Sequence, residues 1–375
     1  MRIALFSGNY NYLREGANQA LNMLVRHLEE QAGHVVRVYS PVTDTPAFEP
    51  AGTLVPVPSI RLPVRGEFQL ALGLPSMVRR DIERFGPDLI HVSTPDILGM
   101  RAQTFARRRG IPVVASQHTL FETYLDYYGM GWARPVVEAH LRRFYRRSDH
   151  VLTPTPALVE AMQRIRGDDR ASVWSRGIDR ALFHPGRRDP GWRRAHGIAD
   201  HEAVILFFGR LVLEKGVDSF VATVAALQQR DAAVRPLLVG AGPAIEAFGG
   251  IAGVVAPGHL RDIELATAVA SADVMLTSST TETFGNVVLE AMASGLPVVS
   301  ADVPSARSLI EDGRTGFLSP PRDIERYAAI IATLIASPEL RRTIGAAALT
   351  ASGAYSWDAA SASVERIYQA ATASR

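Results

Sequence analysis

Two positively charged side chains share one short segment that has a glycine near each end. The segment follows an apolar run and reads Phe208-Gly209-Arg210-Leu211-Val212-Leu213-Glu214-Lys215-Gly216. Lys215 is the only lysine among the 40 lysine and arginine residues of the chain. A departing diphosphate needs its charge neutralised as its bond breaks, and two fixed cations can do this without magnesium. Arg210 and Lys215 therefore predict a diphosphate-binding loop, in which Gly209 lets the backbone turn.

Two glutamates lie in a second segment, 281–299, whose pattern indicates a turn that leads into a helix. Glu282 lies in the turn and Glu290 lies in the helix, roughly 12 Å apart at ~1.5 Å per residue. This is too far for an acid and a base on one glycosidic bond, where carboxyls lie about 5–9.5 Å apart, but it suits a grip on both ends of a nucleotide sugar. Backbone N–H groups at the start of the helix attract anions and hydroxyl oxygens, here at Phe284, Gly285 and Asn286. Taken singly, either glutamate could be a solvated side chain.

The residue types and their spacing do not indicate a metal or cofactor site. The chain has no cysteine, its ten histidines show no ligand spacing, and it has no Asp-x-Asp motif. The segment Val239-Gly240-Ala241-Gly242-Pro243-Ala244-Ile245 resembles a dinucleotide fingerprint, but it has isoleucine at the third glycine position and a proline after the second glycine. We interpret it as a glycine turn near a donor nucleotide, and we expect neither a cofactor nor a metal.

Apolar runs that are each followed by a helix pattern occur in both halves of the chain. We predict strands at 3–7, 34–39, 89–92, 113–116, 150–154, 203–208, 236–239, 253–256, 274–277 and 297–300. Helices are predicted between them, the clearest at 17–31, 218–229, 286–294 and 323–336. Alternating strands and helices indicate parallel sheets that are covered on both faces. The fold class is thus α/β, with two Rossmann-like, doubly wound domains that face an interdomain cleft.

A break in the pattern indicates where the two domains meet. Residues 164–200 are rich in arginine, glycine, aspartate and proline and have weak periodicity. We expect an acceptor-binding domain at 1–183 and a nucleotide-sugar-binding domain at 184–356. The last residues, 357–375, are expected to form a helix that crosses back to the first domain.

Taken together, these motifs resemble the large retaining glycosyltransferase family 4, whose members have the GT-B fold. The resemblance rests on Gly-Arg-x4-Lys-Gly at 209–216 and on the two glutamates with Phe284-Gly285 after the first. It extends to Gly16, to the strand end at 114–119 and to Arg176-Gly177-Ile178-Asp179, and so covers essentially the whole chain. Any one motif is weak, whereas the combination is highly specific.

The resemblance implies a role for each matching position. Glu282 would hold hydroxyls of the donor sugar, together with the N–H groups of 284–286, and Glu290 would hold the ribose. Arg210 and Lys215 would bind the diphosphate, with Gly16 beside it and near the acceptor. His118 would contact the sugar from the first domain, with its backbone near the reacting carbon. The implied mechanism is a front-face reaction with retention, in which the departing diphosphate takes the acceptor proton.

The chain departs from the family pattern at three places. It has Glu15-Gly16 where the family often has two glycines, and Arg176-Gly177 where the family often has Asn-Gly. A tyrosine that is common before Ala272-Asp273 is absent. The first departure bears on the approach of the acceptor, and the third bears on recognition of the base.

Charge is divided unevenly along the chain. Residues 1–183 carry a net charge of +5 and residues 184–375 a net charge of −3. A basic first half can contact an anionic membrane, and the helix pattern that contains Val137, His140, Leu141 and Phe144 among arginines is one candidate surface. A core-facing helix with solvated arginines explains the same pattern.

From these observations we expect a metal-independent, retaining hexosyltransferase, with mannose preferred, that acts on a lipid or surface glycan. The donor is expected to be GDP-mannose or a UDP-hexose, and no nucleic acid partner is expected. Localisation is expected to be cytoplasmic, with possible peripheral contact with the membrane. Two alternatives stay open: a sugar-nucleotide 2-epimerase, which would turn over the donor without acceptor, and a non-catalytic, membrane-associated binder of sugar nucleotides.

Overall fold

The chain forms two compact units, each built around a parallel β-sheet. A computed structural model describes residues 1–13, 15–61, 69–127 and 129–373. The first unit comprises Met1–Leu125, Gly129–Gly177 and Trp357–Arg375, and the second comprises Asp126–Tyr128 and Ile178–Ser356. The division thus falls a few residues before the expected boundary at 183, because Ile178 and Phe183 pack in the core of the second unit.

The described strands and helices alternate along the chain. The strands are β1 (Arg2–Phe6), β2 (Val35–Ser40), β3 (Thr53–Pro56), β4 (Ser59–Arg61), β5 (Gln69–Ala71), β6 (Leu89–Val92), β7 (Val113–Ser116), β8 (His150–Thr153), β9 (Ala171–Val173), β10 (Ala203–Phe208), β11 (Val234–Val239), β12 (Val255–Gly258), β13 (Val274–Thr277), β14 (Val298–Ala301) and β15 (Phe317–Ser319). The helices are α1 (Gly16–Glu30), α2 (Ser76–Phe85), α3 (Ile97–Arg109), α4 (Phe121–Tyr127), α5 (Arg134–Arg146), α6 (Pro156–Arg166), α7 (Pro190–Ala195), α8 (Val217–Gln228), α9 (Asp262–Ala270), α10 (Asn286–Ala293), α11 (Pro304–Arg307), α12 (Ile324–Ala336), α13 (Pro338–Ser352) and α14 (Trp357–Ala373).

The first unit has a seven-stranded sheet in the order β3-β2-β1-β6-β7-β8-β9, and the pairs within it are parallel. Successive residues of a strand point to opposite faces. In β1, Ala4 and Phe6 therefore pack with α2, α3 and α5, while Ile3 and Leu5 pack with α1 and α14. Burial on both faces explains the continuous apolar character of these strands.

The second unit has a six-stranded parallel sheet in the order β12-β11-β10-β13-β14-β15. Val204 and Leu206 of β10 face one apolar core, and Ile205 and Phe207 face the other. The strands β11 and β12 lie on one side of β10, and β13, β14 and β15 lie on the other, so the switch point of the sheet is between β10 and β13. In doubly wound sheets ligands bind beyond the carboxyl ends of the strands at this switch point, so the loops after these two strands position the candidate site.

The helix α14 returns to the first unit and packs against α1. Ala360, Val364 and Tyr368 are buried in the same apolar core as residues of α1. Glu365 lies 3.6 Å from the ring Nε2 of His27 and 3.4 Å from that of His34. The backbone of Gly177 passes so close to this helix that an added Cβ would lie 2.1 Å from the backbone nitrogen of Trp357. The end of the described chain is therefore an integral part of the first unit.

The predicted strands of the two sheet centres match the structure closely, whereas the short strands were not predicted. β3, β9 and β15 lie at the edges of the two sheets, and β4 and β5 form a separate antiparallel pair. These strands have few residues, so they carry too little apolar periodicity to be recognised in the sequence.

Candidate functional site

The loop that carries Lys215 is held in place by close backbone packing. Gly209 follows β10 with φ of +134°, and Gly216 precedes α8 with φ of +74°. Both values favour glycine. An added Cβ at Gly216 would lie 2.3 Å from the hydroxyl oxygen of Ser278. The backbone path itself therefore favours glycine at the two positions that flank the cations, independently of any ligand.

Three hydroxyl groups after β13 fasten this loop to the neighbouring one. Ser278 donates to the carbonyl of Gly216 at 2.8 Å. Ser279 and Thr281 both donate to the carbonyl of Glu214, at 3.2 and 3.3 Å. Because β10 and β13 are adjacent strands, these bonds hold together the two loops that follow them at the switch point. The run of hydroxyl residues at 278–281 is a signal that the sequence analysis did not use.

This arrangement pairs two of the predicted site residues directly. The ammonium group of Lys215 donates a hydrogen bond to the carboxylate of Glu282. Both side chains keep about one fifth of their surface exposed, 21% and 22%. Arg210 lies in the same loop as Lys215, directly after Gly209, and is partly buried. The structure therefore brings both predicted cations and the first glutamate to the carboxyl ends of β10 and β13.

The glycine-rich turn at 240–242 has a structural role beside the arginine loop. An added Cβ at Gly240 would lie 1.8 Å from the carbonyl oxygen of Gly209, and one at Gly242 would lie 2.3 Å from that of Leu211. Leu211 also exchanges backbone hydrogen bonds with Ala241 and Ala244, at 3.0 and 2.9 Å. The resemblance to a dinucleotide fingerprint thus arises because the backbones after β10 and β11 touch.

The helix α10 begins as expected, at the turn that follows Glu282. Phe284 is buried against the ring of Tyr355, with ring centroids 5.7 Å apart. Gly285 has φ of +98° and precedes Asn286, the first residue of the helix. Burial of Phe284 fixes this turn, and the first backbone N–H groups of α10 are available to donate to an anion or a hydroxyl oxygen.

Glu290 lies further along α10 in a half-buried position. Burial raises the pKa of its carboxyl to about 8, because the charged form loses solvation. A perturbed carboxyl on a site helix is a common property of ligand-binding residues.

The first unit has its own switch point between β1 and β6, and the other two predicted residues follow β1 and β7, the neighbour of β6. Gly16 is the first residue of α1, and His118 follows β7. The backbone N–H of Gly8, after β1, donates to the hydroxyl of Thr94 at 2.8 Å. Asp96 caps α3 through the N–H of Gly99 at 2.7 Å, and burial raises the pKa of its carboxyl to about 6. Asp96 was not predicted, since its sequence context is that of an ordinary helix cap.

His118 is enclosed by protein groups on both ring nitrogens. Its Nδ1 accepts from the guanidinium of Arg176 at 3.0 Å, and its Nε2 lies 2.8 Å from the hydroxyl of Ser116. Burial, followed by the charge of Arg176, lowers the pKa of the ring well below its usual value. His118 is therefore neutral near pH 7. Arg176, which stands where the family often has asparagine, thus contacts His118 directly, a role that the sequence analysis did not assign to it.

The described residues contain neither a cluster of metal ligands nor a membrane-spanning helix. Within these residues, no three His, Cys, Asp or Glu side chains are grouped as ligands for a metal ion. No helix in the described part of the chain combines the length and the apolar character that are needed to cross a bilayer.

Comparison with known proteins gives family matches in both units. The family described as Glycosyltransferase Family 4 matches residues 14–182, and that described as Glycosyl transferases group 1 matches residues 202–337. The two matches together contain every predicted site residue.

Individual relatives extend the similarity over most of the chain. A GDP-mannose-dependent alpha-mannosyltransferase of Mycobacterium tuberculosis is 32% identical over 87% of this chain and 85% of its own. An alpha-monoglucosyldiacylglycerol synthase of Streptococcus pneumoniae is 27% identical over 91% of this chain and 80% of its own. The sucrose-phosphate synthase structure from Thermosynechococcus elongatus matches all of both chains with a TM-score of 0.81 at 20% identity, a likeness of fold.

Proposed function

We propose a function from the premise that this chain belongs to glycosyltransferase family 4 and has the two Rossmann-like domains of the GT-B fold. As a member it is a glycosyltransferase that acts on nucleotide sugars. The proposal is that it transfers a hexose, preferentially mannose, to a lipid or surface-glycan acceptor, with retention of configuration and without a metal ion. The name of the mycobacterial relative supports the mannosyl donor, and that of the pneumococcal relative supports a lipid acceptor.

The observation that carries the proposal is the pairing of Lys215 with Glu282 at the switch point, with Arg210 in the same loop. Without a donor, the carboxylate neutralises the ammonium. A bound diphosphate offers Lys215 a more highly charged partner, which leaves Glu282 to accept hydrogen bonds from sugar hydroxyls. Lys215 would thus contact the diphosphate and Glu282 the sugar, which are the two parts of the donor that separate in the reaction.

The proposed reaction needs no protein base. The acceptor hydroxyl oxygen bonds to the anomeric carbon as the bond from that carbon to the diphosphate oxygen breaks. The electron pair of the broken bond stays on the diphosphate, where Arg210 and Lys215 neutralise it, and the same diphosphate oxygen takes the acceptor proton. His118 is neutral with both ring nitrogens occupied, so the ring does not take part in proton transfer.

Product analysis in the presence of a chelator tests the proposal. With GDP-mannose or a UDP-hexose, a lipid extract and excess EDTA, we expect turnover and an anomeric proton signal of the α-configuration. Activity that vanishes with EDTA and returns with manganese contradicts the metal-free mechanism, and an inverted product contradicts retention. Turnover of the donor to its 2-epimer without acceptor would favour the epimerase instead.

The elevated pKa of Glu290 predicts that donor binding depends on pH. With a pKa of about 8, roughly one tenth of the carboxyl is ionised at pH 7 and about nine tenths at pH 9. If the ionised form accepts the ribose hydroxyls, binding releases a proton and affinity rises with pH, by about tenfold over this range. Calorimetric titration with GDP, UDP and ADP measures this rise and also identifies the preferred base.

The matched control for this titration is Glu290→Gln, which keeps the shape of the side chain and removes its ionisation. We expect its affinity to be lower at pH 9 and to change little between pH 7 and pH 9. A flat profile for the unaltered protein with its preferred nucleotide would show that Glu290 does not need to ionise to bind the ribose.

The surface for a membrane-bound acceptor differs from the one that the sequence indicated. In α5, Leu141 and Phe144 are buried and Val137 packs against the core. His140 contacts the carbonyl of Pro95 at 2.6 Å. The hypothesis that this face of α5 rests on a membrane is therefore wrong, because the face covers the core of its own unit.

An exposed apolar ridge at the start of α5 supports membrane contact in its place. We define the ridge as Met130, Trp132 and Val136, of which Trp132 is 80% exposed and Val136 is 71% exposed. Arg142 and Arg143 are exposed on the same helix, and Arg143 shares a helix face with Val136. Tryptophan beside basic residues is typical of peripheral contact with anionic lipid.

Vesicle binding tests the ridge. We expect the protein to bind vesicles of phosphatidylglycerol at low salt more strongly than vesicles of phosphatidylcholine, and the double variant Trp132→Ser, Val136→Ser to lose most of this binding. Ile263→Ser removes an exposed apolar side chain, 57% exposed, from the second unit and serves as the control. Equal binding by all three proteins would remove the ridge from the proposal.

A further inference from the structure

A continuous chain of buried polar side chains connects His118 to the helix α14. Arg176 lies 3.0 Å from Nδ1 of His118, and the hydroxyl of Ser116 lies 2.8 Å from Nε2 of the same ring. The Ser116 hydroxyl is also 2.7 Å from Nε2 of His91. Nδ1 of His91 forms a hydrogen bond with the hydroxyl of Tyr368 in α14. These five residues, which we call the His118 chain, all belong to the first unit.

Arg176 fixes the direction of the first hydrogen bond in the His118 chain. A guanidinium can only donate, so Nδ1 of His118 must be the acceptor. The proton of this neutral ring is then on Nε2, which donates to the hydroxyl of Ser116. That hydroxyl in turn donates its own proton to Nε2 of His91, and Nδ1–H of His91 donates to the oxygen of Tyr368. In this arrangement Arg176 sets the tautomer of His118 directly, and the Ser116 hydroxyl, by donating to Nε2 of His91, sets that of His91.

The surroundings of the His118 chain leave little freedom for rearrangement. His91 and Tyr368 are completely buried, and so they cannot replace a lost partner with bulk water. The ring of Trp174 packs edge-on against His118 and His91, with centroids 5.3 and 6.0 Å apart. The guanidinium of Arg176 stacks over the same indole at 5.1 Å and donates to the carbonyl of Trp174 at 2.9 Å. Low polarity around such a chain raises the cost of breaking any one bond.

We propose that the His118 chain is a positioning device for sugar transfer, in which Tyr368 and His91 hold His118 in one tautomer and one orientation through Ser116. Both ring nitrogens of His118 are used within the protein, so it meets the donor sugar with its backbone and not with a ring nitrogen. The helix α14 thereby becomes part of the reaction apparatus, although it follows the whole second unit in sequence. This inference rests on the proposed function, because it assigns positioning residues to the same transfer reaction.

Removal of a single hydroxyl tests the proposal. In Tyr368→Phe the Nδ1–H of His91 loses its acceptor. If His91 changes tautomer to avoid this, the Ser116 oxygen accepts from two ring N–H groups and the proton of that hydroxyl loses its acceptor. We expect kcat to fall about tenfold, a size typical of one buried hydrogen bond left unsatisfied. The KM for the donor should stay within about twofold, since the diphosphate and ribose contacts belong to the second unit.

The tautomer of His118 supplies a readout that does not need turnover. In protein labelled with nitrogen-15 on histidine, the two ring nitrogens of His118, assigned by their loss in His118→Gln, should show one protonated Nε2 and one unprotonated Nδ1. Tyr368→Phe should shift or broaden these signals. Tyr39→Phe is the matched control, because the hydroxyl of Tyr39 bonds to Asp81 at 3.0 Å in the same unit and outside the chain; we expect normal kcat and unchanged His118 signals.

Two results would overturn the proposal: a wild-type kcat with unchanged His118 signals in Tyr368→Phe, or equal losses of kcat in the Tyr368 and Tyr39 variants. Ser116→Ala provides an independent variant, since it removes the central hydroxyl and no large side chain. It should reproduce the kcat loss and disturb the His118 signals more strongly. If the unaltered protein transfers no sugar, the proposed function fails, while the nitrogen signals still decide whether the His118 chain fixes the tautomer.

Discussion

Replacing Lys215 with alanine is expected to lower kcat/KM by about 100- to 1000-fold, and Arg210→Ala is expected to have an effect of similar size. Both changes remove a cation that neutralises the departing diphosphate, which corresponds to a loss of ~2.7–4 kcal/mol of transition-state stabilisation. Steady-state kinetics with the preferred donor measure the effect. The affinity for the free nucleoside diphosphate should fall as well, because the ground state carries the same charge.

An exposed arginine on the second unit gives the matched control. Arg326 lies on α12 and is exposed, so Arg326→Ala removes a positive charge at a position that has no assigned role in the site. Its kcat/KM should stay within about twofold of the unaltered value. Near-normal turnover of both Lys215→Ala and Arg210→Ala would show that the diphosphate is neutralised elsewhere.

Replacing Glu282 with glutamine is expected to change binding and catalysis in opposite directions. The carboxylate holds the ammonium of Lys215 in the structure, so its neutralisation frees that cation. The affinity for the nucleoside diphosphate should therefore rise by a few-fold. Transfer should nevertheless fall by about 100-fold, because the amide is a poorer acceptor for the sugar hydroxyls in the charged transition state.

A double-mutant cycle checks that the two effects have one origin. In Lys215→Ala the partner cation is already absent, so the further change Glu282→Gln should no longer raise diphosphate affinity. Additive effects on affinity would mean that the ion pair does not hold Lys215 back from the diphosphate. A Glu282→Gln variant with unchanged transfer would remove this glutamate from the sugar site.

The central strands and the site loops were predictable because each carries its own local signal. Strands such as β10 are apolar throughout because both faces of the sheet are covered. The glycines at 209 and 216 mark turns with positive φ. The assignments of Arg210, Lys215, Glu282 and Glu290 to the donor stay predictions, and the structure adds that three of them meet at the carboxyl ends of two adjacent strands.

Contacts between distant segments could not be predicted from the same signals. The pairing of Lys215 with Glu282 depends on the adjacency of β10 and β13 and on hydroxyl bonds between their loops. The apolar pattern of α5 fits a core helix and a membrane helix equally well, and only the observed packing of Phe144 distinguishes them. The His118 chain combines residues from four separate segments of the first unit, so no local window of sequence contains it.

The return of α14 to the first unit has a consequence for synthesis on the ribosome. Domains usually fold as units in the order in which they emerge, N-terminal first. Here the second unit is almost contiguous in sequence, whereas the first unit needs residues 357–373 for its core. The later unit can therefore fold while the earlier one still lacks a helix. Until that helix arrives, the apolar side of α1 that receives it remains uncovered and is a natural site for a chaperone to hold.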